Sequence, residues 1–294
     1  MMVILAFDIG GTTVKYGVWS NRRMQDVGSF TTPKTWELMK EGLLNVKNQF
    51  VARYDLQGIA FSTPGMVDSE TGIIHGISAI NYIHHFLIKT ELSKILALPI
   101  SIANDANCAA LAEAWQGAAQ NISDALFVIL GSGIGGAVII DGKVHVGKHF
   151  FGGEFGIMQL EGGKTLSELG APIKIAQNYC RHKNLDINTL TTKQIFELAD
   201  ENDSLAQEVI ENFYHYLSQG LYNLQVAIDP ERIIIGGSIS ANDTVVTTLH
   251  QRVKQMLFEA ELSTINVDIR ACQFRGDANL IGAVRQFMIS KETD

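Results

Sequence analysis

Cysteine, proline and long apolar runs are scarce in this sequence of 294 residues, which has 3 Cys and 5 Pro. The cysteines, Cys108, Cys180 and Cys272, are far apart and odd in number, so neither a disulfide framework nor a CxxC metal site is predicted. No apolar run reaches the roughly 18 residues that span a bilayer. No signal-peptide cleavage region precedes the strand-like VILAF. We therefore expect a cytoplasmic protein with no membrane partner.

Positive charge is also in short supply. The sequence has 23 Lys and Arg against 31 Asp and Glu, a formal net charge of -8 at pH 7, and no long basic run. This balance argues against a protein that binds nucleic acid or an anionic membrane surface. The 46% hydrophobic content and the length fit a globular chain of two domains. Small-molecule or protein partners are favoured instead.

Glycine, in contrast, is abundant, with 27 residues that cluster in short strings beside strand-like segments. Asp8 to Thr12 (DIGGT) connects two predicted strands, and Gly131 to Gly136 (GSGIGG) repeats the arrangement in a second series of strands. Backbone N–H groups in such turns can face a phosphate, and Asp8 could hold a hydrated Mg²⁺. The alternative is a simple hairpin turn. Two such turns predict two similar lobes that hold the phosphates of one nucleotide.

A dinucleotide-binding fold is not predicted, although GSGIGG resembles the GxGxxG fingerprint. That fingerprint opens a helix, whereas Ala137 to Ile140 continues as a strand. A third glycine pair, Gly236-Gly237, follows the predicted strand Arg232 to Ile235 and could lie beside a purine or a ribose. Its alternative is a turn that serves packing alone.

The pair Asn104-Asp105 lies where a predicted strand, Ile100 to Ala103, meets an Ala-rich helix. Either residue is a good N-cap, and a carboxylate there is stabilised by the helix dipole. Such a carboxylate can accept the proton of a hydroxyl that attacks a phosphoryl group. The alternative for this pair is helix capping and nothing more.

The motifs taken together resemble the ROK family of repressors and sugar kinases. Six segments carry the resemblance in the family's order: DIGGTTVK, STPGMVD, ANDANCAALAE, LGSGIGGAVIIDGKV, GGEFG and IIIGGSIS. The resemblance implies an α/β chain of the actin-like ATPase (ribonuclease H-like) fold, with two lobes and a cleft between them. It also implies a homodimer.

The resemblance assigns roles to individual residues. Asp105 is the implied catalytic base, and the implied sugar contacts are Asn81, Asn104, Asp105, Glu154 and Glu168. The implied contacts to ATP phosphates are Gly10, Gly11, Thr12, Gly131, Ser132 and Gly133.

One departure from the family pattern concerns zinc. Many members carry GExGH followed by a CxCGxxGC cluster, but here Ile157 occupies the histidine position and Glu161 to Ser167 contains no Cys. A site of thiolate ligands cannot be built from this segment. The chain resembles the branch that lacks the zinc motif, and no zinc is expected.

We therefore expect an ATP- and Mg²⁺-dependent kinase that phosphorylates a sugar hydroxyl, with a β-glucoside such as cellobiose as the first candidate. Glucokinase and N-acetylmannosamine kinase are the alternatives, and a non-catalytic sugar-sensing protein is a third class. A repressor is not expected, because DIGGT begins at residue 8 and leaves no room for a helix-turn-helix. The expected domains are residues 1–117 with 277–294, carrying the first phosphate turn and Asp105, and residues 118–276, carrying the second phosphate turn, the sugar-binding Glu and the nucleotide-binding glycines.

Overall fold

The computed structural model describes residues 2–274 and 276–292. Two compact units divide the chain: Met1–Gln120 with Val146–Phe151 and Gly276–Asp294, and Asn121–His145 with Gly152–Arg275. Each unit has a hydrophobic core of its own.

The strands, numbered in chain order, are β1 (Ile4–Ile9), β2 (Thr13–Ser20), β3 (Arg23–Thr31), β4 (Gly58–Thr63), β5 (Met66–Asp68), β6 (Ile73–His75), β7 (Ile100–Asn104), β8 (Ala125–Leu130), β9 (Ile134–Ile140), β10 (Lys143–Val144), β11 (Arg232–Gly236) and β12 (Ile269–Ala271). The α-helices are α1 (Trp36–Val51), α2 (Ile88–Leu96), α3 (Asp105–Gln116), α4 (Leu166–Gly170), α5 (Ile173–His182), α6 (Thr192–Asp200), α7 (Ser204–Ile228), α8 (Asp243–Glu259) and α9 (Ala278–Glu292).

The first unit is built on a mixed sheet in the order β3-β2-β1-β4-β7. β1 pairs antiparallel with β2 and parallel with β4, and β4 pairs parallel with β7. The central strands are covered on both faces and read as apolar runs, as parallel strands in α/β proteins do. On one face Phe7 stacks on Phe61 with ring centroids 5.2 Å apart. Met39 and Leu43, one turn apart on α1, belong to the same core.

The second unit repeats this topology with the order β10-β9-β8-β11-β12. The β8–β9 and β9–β10 pairs are antiparallel, and the β8–β11 and β11–β12 pairs are parallel. The long helix α7 packs against this sheet with Leu217, Leu221 and Leu224 in the core. The duplicated architecture predicted from the glycine strings is thus confirmed in the strand order, and it has the form of an actin-like ATPase fold.

Several features differ from the sequence expectations. β9 begins at Ile134 rather than at Ala137, because pairing with β8 starts directly at Leu130↔Ile134. GSGIGG is therefore a turn of Gly131 to Gly133 followed by strand. Helices α2, α4 and α5 were not anticipated. The segment Val146–Phe151 groups with the first unit, whereas the expected boundaries placed it in the second domain.

Among residues 2–274 and 276–292, no helix combines the length and apolar character required to cross a membrane.

Candidate active site

The carboxyl ends of the parallel strands bring together the polar residues of the first unit. Asp8 is paired with Ser62 in the β1–β4 register, and Thr63 is paired with Asn104 in the β4–β7 register. Ligands of open α/β sheets bind outside the carboxyl ends of the strands. The sheet therefore sets DIGGT and Asn104-Asp105 at the same edge.

Asp8 is held by two hydrogen bonds from neighbouring elements. Its Oδ1 accepts from Ser62 Oγ at 2.8 Å and from Asn279 Nδ2, at the start of α9, at 3.0 Å. Both donors use the same carboxylate oxygen, so within the described residues Oδ2 is left for a metal-bound water. Mg²⁺ usually keeps several waters and takes one or two carboxylates together with substrate phosphates. A single oriented carboxylate fits that mode.

The described residues do not provide a metal site made of protein ligands alone. No group of three or more His, Cys, Asp or Glu suited to a metal ion occurs in the part of the chain that the structure describes. An ion at Asp8 would therefore take its other ligands from phosphate oxygens and water.

The first glycine turn follows Asp8 and is fixed at its base. Gly10 N–H donates to Thr13 O at 3.1 Å, and Gly10 O accepts from Thr32 Oγ1 at 2.5 Å. Gly11 and Thr12 are exposed at the tip. Their backbone is therefore presented at the sheet edge that carries Asp8.

Asn104 is the N-cap of α3, and Asp105 is its first helical residue. Asn104 Oδ1 accepts from Asn107 N–H at 3.1 Å, while its Nδ2 donates to Gly65 O and to Asp105 Oδ1, each at 3.0 Å. Ala106 N–H also donates to Asp105 Oδ1, at 2.8 Å. Asn104 is the N-cap, and the Asp105 carboxylate is oriented by Asn104 Nδ2 and by the Ala106 N–H of the first turn.

Cys108 lies one turn after Asp105 and is completely buried. Burial raises the pKa of its thiol well above the ordinary value, and the negative charges of Asp8 and Asp105 raise it further. Both carboxylates thus lie within electrostatic range of one sulfur atom. The two acidic residues that the sequence analysis selected thus lie at the same edge of the first sheet.

Asn81 opens a 3-10 turn, Asn81–Ile83, and its side chain is exposed. The turn is held by Ser78, whose Oγ accepts from Ile80 N–H at 3.2 Å and bonds His84 Nε2 at 2.7 Å. The structure thus fixes the backbone around Asn81 and leaves its amide at the surface of the first unit.

In the second unit the structure brings two glycine strings together. Gly131 N–H donates to Gly133 O at 2.9 Å, and Ile134 N–H donates to Ser167 Oγ at 2.8 Å. Gly237 has φ 90° and packs so closely on Leu130 that a Cβ would collide with its carbonyl oxygen. Only glycine satisfies both conditions. Gly236-Gly237 therefore borders the turn formed by Gly131, Ser132 and Gly133.

A cavity of about 800 Å³ opens beside these two glycine strings, entirely within the second unit. Its lining combines apolar and polar residues from separate segments of the chain. The apolar residues include Pro172, Ile173, Phe196 and Ile239, and the polar ones include Ser132, Thr192, Ser238 and Asn242. Ligand cavities typically combine an apolar lining with a few polar groups, which suits a purine and a ribose. Apart from Ser132, these residues were not anticipated from the sequence.

Glu154 lies exposed between two glycines that pack on β9. Gly153 has φ 97° and would collide with Gly136 O if it carried a Cβ, and a Cβ on Gly156 would collide with Ile134 O. The backbone on both sides of Glu154 is thereby fixed. The carboxylate has no hydrogen-bond partner among the described residues and is presented to solvent.

Glu168, in contrast, has a structural partner. It forms a capping box with Thr165: Glu168 Oε2 accepts from Thr165 N–H at 2.7 Å and from Thr165 Oγ1 at 2.9 Å. Thr165 Oγ1 in turn accepts from Glu168 N–H at 3.3 Å. The hydrogen bonds from Thr165 lower the pKa of the Glu168 carboxyl.

The sequence model of the ROK family matches residues 4–288. The chain belongs to the ROK family. The family resemblance inferred from the six motifs is thereby confirmed.

Individual ROK relatives match over nearly their full lengths. The β-glucoside kinase of Listeria innocua is 34% identical, with 98% of each chain covered. The β-glucoside kinase of Klebsiella pneumoniae is 32% identical over 97% of this chain and 96% of its own. A ROK protein of Streptococcus pneumoniae, solved in complex with sucrose, is 36% identical and superposes with a TM-score of 0.89, covering 99% of this chain and 100% of that one. The predicted actin-like ATPase fold is confirmed.

The segment that contains Glu161 to Ser167 is closed by hydrogen bonds. Leu160 N–H donates to Lys164 O at 2.8 Å, and Leu166 N–H donates to Met158 O at 2.8 Å. The capping box of Thr165 and Glu168 continues this network into α4. Backbone pairing thus holds the loop in the conformation that leads to Ser167, whose hydroxyl contacts the second glycine turn.

Thr165→Ala is expected to lower the free energy of unfolding by about 1 kcal/mol, because the N-cap of α4 is lost. The pKa of the Glu168 carboxyl is lowered in the folded state, so the capping box contributes its full stability above the ordinary Glu pKa of about 4.3. This stability is lost as the pH falls through the folded-state pKa. Urea unfolding of the wild type and of Thr165→Ala at pH 7 and at pH 3 measures the change in the free energy of unfolding. The difference from wild type should shrink at pH 3.

Thr264→Ala is the control for this experiment, because Thr264 is exposed in a loop of the same unit. It should leave the unfolding midpoint unchanged at both pH values. A Thr165→Ala effect of equal size at pH 3 and pH 7 would contradict a contribution from the hydrogen bond between Thr165 Oγ1 and ionised Glu168.

Proposed function

We propose that this ROK protein transfers the γ-phosphoryl group of Mg-ATP to a hydroxyl of a β-glucoside or a hexose. The observation that carries the proposal is the carboxylate of Asp105, oriented at the amino end of α3 by Asn104 Nδ2 and Ala106 N–H. A separate residue, Asn104, caps the helix. Asp105 is not the N-cap, and its carboxylate, held in place by these two donors, is suited to act as a base.

In the proposed reaction, Asp105 accepts the proton of the sugar hydroxyl as that oxygen bonds to the γ-phosphorus. The bond between the γ-phosphorus and the β–γ bridging oxygen breaks, and ADP leaves with the bonding electrons. Positioning and charge neutralisation supply most of the rate in such transfers. Bound Mg²⁺ would neutralise phosphate charge, and Asp8 would hold it through a water.

The phosphate contacts are proposed for Gly10, Gly11 and Thr12 in the first unit and for Gly131, Ser132 and Gly133 in the second. We assign the 800 Å³ cavity to the purine and ribose, with Gly236-Gly237 at its edge. The apolar wall of Phe196 and Ile173 supports this assignment, because a purine is a flat apolar ligand with polar edges.

The proposed sugar contacts are Asn81, Asn104, Asp105, Glu154 and Glu168. The assignment of Asn81 and Glu154 is supported by their exposure, which leaves their polar side chains accessible to a sugar. The capping bonds of Glu168 use Oε2, so a sugar hydroxyl would bind at Oε1.

A β-glucoside is the preferred substrate class. Relatives named β-glucoside kinase reach 34% identity over nearly the whole chain, and the similar Streptococcus pneumoniae protein holds a disaccharide, sucrose. A glucokinase of Halalkalibacterium halodurans is less similar, at 28%. Glucose and N-acetylmannosamine are therefore second choices.

The test is ADP release from Mg-ATP against cellobiose, other β-glucosides, glucose, N-acetylmannosamine, N-acetylglucosamine and fructose. We expect turnover with at least one β-glucoside and a higher kcat/KM for it than for glucose. Omission of Mg²⁺ should abolish the signal. If no sugar of the panel supports ADP release while one or more bind in calorimetry, the protein is a sugar-binding protein and the kinase proposal fails.

A further inference from the structure

Four rings form a cluster in the first unit that the proposed reaction does not use. Phe150 lies parallel to His75, with 10° between the planes and 5.8 Å between centroids. His85 meets His75 edge-on at 6.5 Å, and His84 lies 5.8 Å from His85. We refer to His75, His84, His85 and Phe150 as the ring cluster. Its spacings are those of favourable aromatic pairs.

Two members of the ring cluster have a strained backbone. His85 has φ 65° and Phe150 has φ 60°, which is the left-handed region that residues other than glycine rarely adopt. Such conformations persist where the surrounding structure imposes them, and they are frequent at ligand sites. Neither strained residue gains full burial, since His85 is exposed and Phe150 partly exposed. Core packing therefore does not account for the positive φ angles of His85 and Phe150.

Gly65 connects the ring cluster to the proposed catalytic residues. Its carbonyl oxygen accepts from Asn104 Nδ2 at 3.0 Å, and Asn104 Nδ2 also bonds Asp105. On the other side, a Cβ built on Gly65 would lie 3.0 Å from His84 Cε1 and 3.3 Å from His75 O. One residue thus separates the pair Asn104-Asp105 from the ring cluster.

The surface of the ring cluster is both apolar and polar. Ile77, two residues after His75, is 91% exposed, although it is a large aliphatic side chain. The imidazoles add hydrogen-bonding nitrogens to the aromatic faces. A pyranose ring has the matching character, with C–H groups on its faces and hydroxyls around its edge.

We propose that the ring cluster is the subsite for the second ring of a β-glucoside, the group bonded to C1 of the glucosyl ring that is phosphorylated. The inference rests on the proposed function, which places the acceptor hydroxyl at Asp105. In a β-glucoside the 6-hydroxymethyl group on C5 and the group on C1 flank the ring oxygen, are both equatorial and point away from each other. A substrate with its 6-hydroxyl at Asp105 therefore extends one ring away, where the second ring stacks on Phe150 and His75.

The test compares cellobiose with glucose for the wild type, Phe150→Ala and His75→Ala. ADP release gives kcat/KM and calorimetry gives Kd for each sugar. For each constant, the value for cellobiose is then divided by the value for glucose. Loss of one stacking ring should lower the preference for cellobiose by about three- to tenfold. Phe150→Tyr retains a ring and should restore the preference.

His149→Ala is the matched control, because His149 is an exposed neighbour of Phe150 outside the ring cluster. It should keep the wild-type preference. An unchanged ratio in folded Phe150→Ala and His75→Ala, checked by thermal melting, would overturn the subsite, as would a wild type that does not bind cellobiose. Absence of ADP release with a Kd ratio that still responds to the substitutions would refute the kinase function and leave the subsite supported.

Discussion

Asp105→Asn is expected to lower kcat by about 10²- to 10⁴-fold, the usual contribution of a general base. The amide cannot take up the proton of the sugar hydroxyl. It can still accept the two hydrogen bonds that now reach Asp105 Oδ1, from Asn104 Nδ2 and Ala106 N–H. Because Asn104 remains the N-cap of α3, the fold and the sugar affinity should persist. ADP release at saturating sugar and ATP, with calorimetry of the sugar, measures both effects.

Asp55→Asn is the matched control, since it makes the same chemical change at an exposed position of the same unit. It should keep the wild-type kcat. If Asp105→Asn turns over at a rate like the wild type, Asp105 is not the base. If Asp105→Asn instead loses sugar binding together with turnover, its role is in binding the sugar and not in proton transfer alone.

The parts of the site that the sequence predicts are those encoded locally. A glycine string between two strands, or a polar pair between a strand and a helix, carries its own backbone geometry, so DIGGT and Asn104-Asp105 were found without the fold. The same logic applies to Thr165 and Glu168. Their T-x-x-E spacing is the signature of a capping box, a signal that the assignment of Glu168 to the sugar overlooked.

The parts that the sequence does not predict are assembled from distant segments. Ile173, Phe196 and Ile239 meet at one cavity only after α5 and α6 have packed in the second unit. Likewise, the rings of His75 and Phe150 stack although the two residues are far apart in the sequence. No local pattern distinguishes an apolar residue that lines a ligand cavity from one that fills a core. For this reason the cavity that we assign to the nucleotide, and the ring cluster, could not be predicted from the sequence.

Glu154→Ala is expected to raise the Kd of the sugar at least about tenfold, because a hydrogen bond to a charged group contributes about 1.5–3 kcal/mol. The cost to folding should be small. Gly153 and Gly156 fix the local backbone through their own packing on β9, and among the described residues the Glu154 carboxylate has no hydrogen-bond partner to lose. The KM of ATP should remain within about twofold of the wild type, since Glu154 is assigned to the sugar alone. Calorimetry of the sugar and ADP-release kinetics with varied ATP separate the two effects.

Glu201→Ala supplies the control, because Glu201 is exposed at the end of α6 in the same unit and its backbone N–H, not its side chain, makes the capping bonds. It should leave both constants unchanged. Equal losses of sugar and ATP affinity in Glu154→Ala would argue against a direct sugar contact and for a general change in the second unit. Glu154→Gln adds a further distinction, because the amide retains an acceptor oxygen without the charge. If a charged hydrogen bond to the sugar is the source of affinity, Glu154→Gln should lie between the wild type and Glu154→Ala, whereas a purely steric role would make it equal to the wild type.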